Sequence, residues 1–494
     1  MATEQEIHDA VGKVMNKVRQ RFTVGTAGKV YGGASSRAAM PDMDFRPRRI
    51  GGVDSIFDDP DEAAPLARQA HQELLDLGLE KRYTLIAAMR KAALEQARHL
   101  GDLALRTTGL GRMPHKQWKV ELAAKKTPGP EIIRPRTFTG DDGLTLIEKA
   151  PYGVMLSITP TTNPPSTVVN NAISMVSAGN AVIFNPHPTA KEVSCEAARI
   201  LQKAVLDAGG PKHLICAIGN PTQETGVKLM NHPGVDATLV TGGREIVRVA
   251  MTSGKKVFGA GPGNPPVVVD ETCVLPKAAR DTVFGASFDN CVLCTGEKEI
   301  FCVTSICDAF KSEMEKNGSI EIKGRDAEKL VKLIIVSDSG AGERHPKVNK
   351  DLIGRDAGKI LAQAGIRAPT GIQHAFLEVD WDHPMVMAEQ LMPITPIVRC
   401  KDYDQARDWA IIAEHRFRHT FTMHSTNIAR LSDMARASNA NIFVKNGPSV
   451  AGLGFGGEGY TTLSIAGWTG EGMTTAASFT RERRCTLVDY FRIV

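Results

Sequence analysis

Apolar positions change their spacing along the chain, and each change predicts a different element. Over "TEQEIHDAVGKVMNKVRQRF", Ile7, Val11, Val14, Met15 and Val18 recur at helical spacing, with Glu6, Asp9, Lys13, Lys17 and Arg19 on the other side. This predicts a short amphipathic helix over residues 1–20. The next stretch, to about residue 50, contains "TVGTAGKVYGGASSRAAMPDMDFRPRR". It is rich in Gly, Ala, Ser, Pro and Arg, holds neither period, and reads as a flexible linker. A helix on such a tether must bury its stripe against something else, either its own core or a partner. Glu4, Glu6 and Asp9 oppose a mitochondrial presequence, which is poor in acids. A docking helix is the preferred reading.

From about residue 60 helix and strand alternate. "EAAPLARQAHQELLDLGLEKRYTLIAAMRKAALEQARHLGDLALRTTG" carries helical spacing with few breakers and predicts two or three long helices. "YGVMLSIT" is a short apolar strand, "TTNPPSTVVNNAISMVSAGN" a turn and a helix closing at Gly179-Asn180, and "AVIFNP" another strand. "AARILQKAVLDAGG" is a helix; "LICAIG", "ATLVTGG" and "PVVVD" are strands, with "REIVRVAMTSG" a helix after Gly243. Such alternation implies a doubly wound parallel sheet. A second series runs from near residue 275 to about 445, so two α/β domains are the simplest division, and no internal repeat is evident.

Composition narrows the class. At 494 residues the chain suggests two or three domains with large cores, and 42% hydrophobic with 23% charged residues is ordinary for a globular enzyme. A net charge of +5 without a long Lys/Arg run does not point to nucleic acid. No run of eighteen apolar residues suggests a membrane span, and no secretory signal is expected. Nine cysteines without framework spacing fit a reducing compartment.

Two glycine clusters bear on chemistry. "GLGFGG" places Gly452, Gly454 and Gly457 in a G-x-G-x-x-G pattern, but no strand leads into it and no helix follows, so it is not read as a dinucleotide fingerprint. Thr241, Gly242 and Gly243 have the better context, after an apolar strand and opening a helix, where free N–H groups and the helix dipole favour a phosphate. "FDNCVLCTGEKEIFCV" gathers three cysteines. With Cys307 they permit a four-thiolate zinc site formally, but alternation through Ile300, Cys302 and Thr304 predicts a strand with Cys302 in the core. A thioredoxin-like pair would open a helix, and none follows Cys291. Residue chemistry leaves open a nucleophile in a turn or two inert thiols.

"APYGVMLSITPTTNPPSTVVNNAISMVSAGNAVIFNPHPTA", "GAGPGNPPVVVD", "FDNCVLCTGEKE" and "AEQLMPITPIV" together resemble the CoA-acylating aldehyde dehydrogenases, within the aldehyde dehydrogenase superfamily, and above all the acetaldehyde and propionaldehyde dehydrogenases of bacterial microcompartments. The resemblance spans roughly residues 55–494. It implies an aldehyde dehydrogenase-like α/β fold, with two doubly wound α/β domains plus a small oligomerisation sheet. The expected cofactor-binding domain is 51–133 with 151–262, the catalytic domain 263–445, and the oligomerisation segments 134–150 and 475–494.

By this resemblance Cys294 matches the nucleophile and Cys291 does not, and Asn163 in "TPTTNPP" matches the side-chain donor to the thiohemiacetal oxygen. Glu389 matches the glutamate that holds the nicotinamide ribose; Thr159 and Pro160, with Thr241, Gly242 and Gly243, are the other expected cofactor contacts. Hydrolytic members carry a glutamate that activates water at the place where alignment puts Gly259. Without that base, water attack on the thioester is slow, whereas a thiol with a pKa near 8.5 needs less help. Coenzyme A is therefore the implied acceptor, and NAD the implied oxidant. Asn185 stands where hydrolytic members have a lysine against the adenosine ribose, so adenine-side contacts are not carried over, and His187 is given no role.

The expectation is an NAD-dependent, CoA-acylating dehydrogenase of short aldehydes, propanal ahead of acetaldehyde, forming a homo-oligomer. Its N-terminal helix would dock it to a shell protein inside a microcompartment of the bacterial cytoplasm, with no nucleic acid or membrane partner and no metal. The competing readings are a hydrolytic dehydrogenase releasing free acid, and a non-catalytic redox or scaffold protein.

Overall fold

The computed structural model describes residues 55–337 and 346–493. The docking helix and linker expected over residues 1–50 lie outside the described residues.

The helix-rich stretch resolves into three helices. Strand β1 (Ile56–Phe57) leads into α1 (Pro60–Asp76), whose first turn is capped by Asp59, its side chain accepting from the Asp61 N–H. Then come α2 (Gly78–Glu95) and α3 (Ala97–Thr108), the latter ending on left-handed Gly109. Next, α4 (His115–Lys126) is less regular in its chemistry, since Lys116 and Lys119 are buried alongside Val120, Leu122 and Ala123. A hairpin follows, β2 (Arg136–Gly140) with β3 (Gly143–Pro151).

The first parallel sheet is laid down by β4 (Val154–Thr159), β5 (Ala181–Pro186), β6 (Ile215–Ile218), β7 (Ala237–Thr241) and β8 (Lys256–Ala260). Between them run α5 (Pro164–Ser177), α6 (Lys191–Asp207), α7 (Gln223–Asn231) and α8 (Arg244–Met251). All residues of β4, β5 and β6 are buried, as expected of parallel strands covered by helices on both faces. Helix α5 is buried along its whole length; Pro164 and Pro165 occupy its first turn, where a missing N–H is harmless, and left-handed Gly179 follows its end. The strand order is β1-β6-β5-β4-β7-β8. Order therefore reverses between β4 and β7, where helices on opposite faces diverge and leave a crevice at the strands' carboxyl ends.

The second sheet, also parallel, takes β9 (Pro266–Val269), β10 (Glu299–Val303), β11 (Ser319–Glu321), β12 (His374–Glu378), β13 (Ile394–Cys400), β14 (Thr420–His424) and β15 (Ile442–Lys445). Their spatial order is β11-β12-β13-β10-β9-β14-β15. Helix α9 (Leu275–Ser287) connects β9 to the cysteine-bearing turn, and α10 (Thr304–Lys316) follows β10. Thr304, read from alternation as strand, opens α10 instead: it is the first exposed position after the wholly buried β10, with Val303 as the helix's N-cap. Two short strands, β16 (Ile465–Ala466) and β17 (Gly472–Met473), pair with each other. The last strand, β18 (Thr480–Val488), pairs antiparallel along the whole of β3, giving a three-stranded sheet β18-β3-β2. Beyond Thr480 its residues are exposed, as are those of β2.

Candidate active site

The carboxyl ends of β4, β5, β7 and β8 open onto a cavity of about 500 Å³ at the strand-order reversal. Thr159 and Pro160 line it where β4 ends, and Asn163 where α5 begins. Thr241, Gly242 and Gly243 line it between β7 and α8. The opposite wall belongs to the second sheet's connections: Val292 and Cys294 from the turn after α9, with Glu389 and His419. Thus all eight residues singled out in the sequence share one cavity.

The turn carrying Cys294 is strained and heavily braced. Asp289, Asn290 and Cys291 have φ values of 50°, 55° and 58°, a left-handed run without glycine. Each such residue costs on the order of 1–3 kcal/mol and persists only where its surroundings impose it. The Asp289 N–H donates to His115 Nδ1 at 2.8 Å, and Asp289 Oδ1 accepts from the Arg112 N–H at 2.9 Å. Its carboxylate also pairs with Lys116 at 3.1 Å and with Lys119. Asn290 Nδ2 donates to the Gly354 carbonyl at 2.9 Å and to Asp356 Oδ1 at 3.0 Å. Past the strained residues, Lys298 Nζ gathers the turn's carbonyls, donating to Leu293 at 3.0 Å and Gly296 at 2.9 Å.

This bracing separates the two cysteines that spacing could not. Cys291 is fully buried, with its thiol donating to the Glu297 carbonyl and its sulfur accepting from Lys298. Cys294 is partly covered and faces the cavity. Burial, and secondarily the Glu389 carboxylate, push its thiol up to about 12, against the opposing pull of Lys298, its own N–H and Lys119. Glu389 is itself raised to about 7 by burial, although Lys298, the Gly263 N–H and Arg244 favour its charged form. The resting site therefore holds a neutral thiol beside a carboxyl that titrates near neutrality.

Asn163 makes no side-chain cap to α5, which removes its ordinary role as a turn residue before two prolines. Its Oδ1 accepts from Lys119 Nζ at 2.6 Å and its Nδ2 donates to Thr162 Oγ1 at 3.2 Å. Gly259 lies in β8, and among the described residues lining the cavity Glu389 is the sole carboxylate. A Cβ at Gly259 would come within 2.9 Å of Val247, so the close packing of α8 occupies the space beside it. Thr225 and Thr222, at the start of α7, engage the amide of Asn185, and His187 Nδ1 accepts from the Thr189 N–H at 3.3 Å as a local turn cap.

The residues present fit a dinucleotide. At Gly243 a Cβ would meet no atom within 4 Å, so the backbone faces open space there, at the start of a helix whose first N–H groups have no partner within it. Sequence reasoning missed Lys116, Lys119, Lys298 and His419. Lys116 and Lys119 stand in a stretch to which the sequence pattern gives no element, Lys298 opens the predicted strand, and nothing in their spacing signals burial. No group of three or more His, Cys, Asp or Glu among the described residues is placed to hold a metal ion.

Comparison with known proteins agrees with this fold. The profile of the aldehyde dehydrogenase family matches residues 57–478. The acetylating acetaldehyde dehydrogenase EutE of Salmonella typhimurium is 45% identical over 442 residues, covering 89% of this chain and 93% of that protein. A propionaldehyde dehydrogenase from the Clostridium phytofermentans fucose utilisation bacterial microcompartment superposes with a TM-score of 0.86 at 39% identity, covering 89% of this chain and all of the other. The Rhodopseudomonas palustris propionaldehyde dehydrogenase, solved with bound CoA and an acylated cysteine, gives a TM-score of 0.85 at 42% identity, with 89% and 99% covered. With two parallel sheets meeting over one cysteine-bearing cavity, and sequence similarity along nearly the whole described body, the chain belongs to the aldehyde dehydrogenase family.

Proposed function

We propose that the chain oxidises a short aldehyde, propanal or acetaldehyde, with NAD and coenzyme A to acyl-CoA and NADH, through a thioester on Cys294. The observation that carries this reading is a cavity in which Cys294 and Asn163 converge while the family's water-activating position is Gly259. The Cys294 sulfur attacks the carbonyl carbon once its proton has left, and the aldehyde oxygen becomes an oxyanion. Asn163 Nδ2 and the Cys294 N–H donate to that oxygen, an arrangement whose loss of one donor typically lowers turnover about a hundredfold to a thousandfold. NAD, when bound, supplies the hydride acceptor. Thr241, Gly242, Gly243 and the start of α8 would hold its phosphates, Thr159 and Pro160 would line it, and Glu389 would hold the nicotinamide ribose. Cys294 then carries the acyl group as a thioester and is freed when that group passes to the thiol of coenzyme A.

The same reading divides the chain into a cofactor-binding domain (51–133 and 151–262), a catalytic domain (263–445) and oligomerisation segments (134–150 and 475–494). The exposed β2 and β18 support the last of these, since unpaired strand edges invite pairing with another copy. The amphipathic pattern of residues 1–20 and the similarity to a microcompartment enzyme support docking to a shell protein, inside a microcompartment of the bacterial cytoplasm.

The test follows NADH formation from propanal and NAD, with and without coenzyme A, while the acyl product is identified. Turnover is expected to require coenzyme A and yield propionyl-CoA, to fall at least about a thousandfold in Cys294→Ala and to stay within about fivefold in Cys291→Ala. Propionate formed without coenzyme A overturns the acceptor, and an active Cys294→Ala overturns the nucleophile.

A further inference from the structure

Helix α4 places Lys116 and Lys119 three residues apart, hence on one face, and that face is turned inward: the two residues are only 1% and 2% exposed. A buried ammonium costs several kcal/mol unless it is paired and hydrogen-bonded. Both reach a single carboxylate, Asp289, and burial, with Lys116 beside it, pushes Lys119 down to about 7 against the opposing pull of that carboxylate. The remaining bonds run to the segment after β4. Lys116 Nζ donates to the Thr162 carbonyl at 3.1 Å, and Lys119 Nζ donates to Asn163 Oδ1 at 2.6 Å.

In its protonated form Lys119 has donors and no acceptor, so the amide atom facing it is the oxygen, as the 2.6 Å contact has it. The Asn163 NH2 group is thereby turned the other way, where one N–H meets Thr162 Oγ1 at 3.2 Å. A side-chain amide without such a partner can flip, which would present its oxygen to the developing oxyanion and repel it. We infer that Lys119 is a positioning residue for the oxyanion donor, holding Asn163 Oδ1 so that the amide NH2 faces the thiohemiacetal oxygen. This rests on the proposed roles of Cys294 and Asn163. The ammonium also pairs with Asp289, five residues before Cys294, and so ties the donor and the nucleophile turn to the same helix. Asn163 alone would have two amide orientations to choose between; the pair has one.

A double-mutant cycle on CoA-dependent NADH formation tests this. Asn163→Ala should lower kcat about a hundredfold to a thousandfold. Lys119→Met should lower kcat about tenfold to a hundredfold alone, but by less than about threefold in the Asn163→Ala background, because it acts through that amide. KM for NAD should stay within about twofold and Cys294 alkylation by iodoacetamide within about threefold. Equal losses in both backgrounds, or alkylation falling in step with kcat, overturn the inference in favour of a structural role or an effect on the nucleophile. If Asn163→Ala alone stays within a few-fold of the parent, the proposed donor itself is wrong, which is a separate result. Should Lys119→Met not fold, Lys119→Gln serves the same cycle: it keeps a donor for Asp289 but no longer dictates which way Asn163 faces.

Discussion

Glu389 and Cys294 oppose each other's charge. Below about pH 7 the Glu389 carboxyl is protonated and does not oppose the thiolate; above it the carboxylate ionises and works against deprotonation of the sulfur. Glu389→Gln removes that opposition only where the carboxylate would be charged. The rate of Cys294 alkylation in the variant should therefore exceed that of the parent above pH 7, with the gap closing below it. A pH–rate profile checks this, and identical profiles would mean that the two groups do not sense each other. Residue identities carried part of this site and no more. Resemblance named Cys294 and Glu389 and set Cys291 aside, but the physical reason, three left-handed residues and the contacts of Lys298, depends on chain segments meeting in space. Lys119 was invisible for the same reason, since a lysine one turn from another on a helix ordinarily faces water.

At the scale of elements, the contact of β8 with α8 explains why Gly259 is small. Its N–H donates to Thr469 Oγ1 at 2.9 Å, and a methyl group added there would sit 2.9 Å from Val247 Cγ1 and 3.3 Å from Thr469 Cγ2. Gly259→Ala should therefore destabilise the fold by about 1–3 kcal/mol through overpacking. The midpoint of urea unfolding reads this directly, and an unchanged midpoint would show that α8 yields. Element type was legible wherever burial is one-sided or complete over a full strand, as in α1 and β4, because period and apolar run then agree. It failed at Thr304, where the alternation continued one residue past the true end of β10 into a helix. Local pattern has no access to what a strand end packs against.

For the whole molecule, alternation of strand and helix foretold two parallel sheets, but not their strand orders, which depend on the face each helix covers. Nor could periodicity join β3 to β18, which lie far apart in sequence; that sheet was expected only from family resemblance. Among the described residues every one lining the cavity falls between positions 158 and 465, so a chain beginning at residue 51 should keep kcat within about twofold while losing co-purification with shells. Lost turnover would instead place residues 1–50 in the enzyme body. The distribution of sulfur has a further consequence. Of nine cysteines only Cys485, on β18, is exposed, while Cys195 is pushed up to about 11 and Cys294 to about 12, both chiefly by burial. Peroxide and oxygen-derived oxidants attack thiolates, and a thiol pushed up that far by burial is protonated at pH 7. The nucleophile is thus kept at rest in a form that air scarcely touches, and it becomes vulnerable only as its proton leaves.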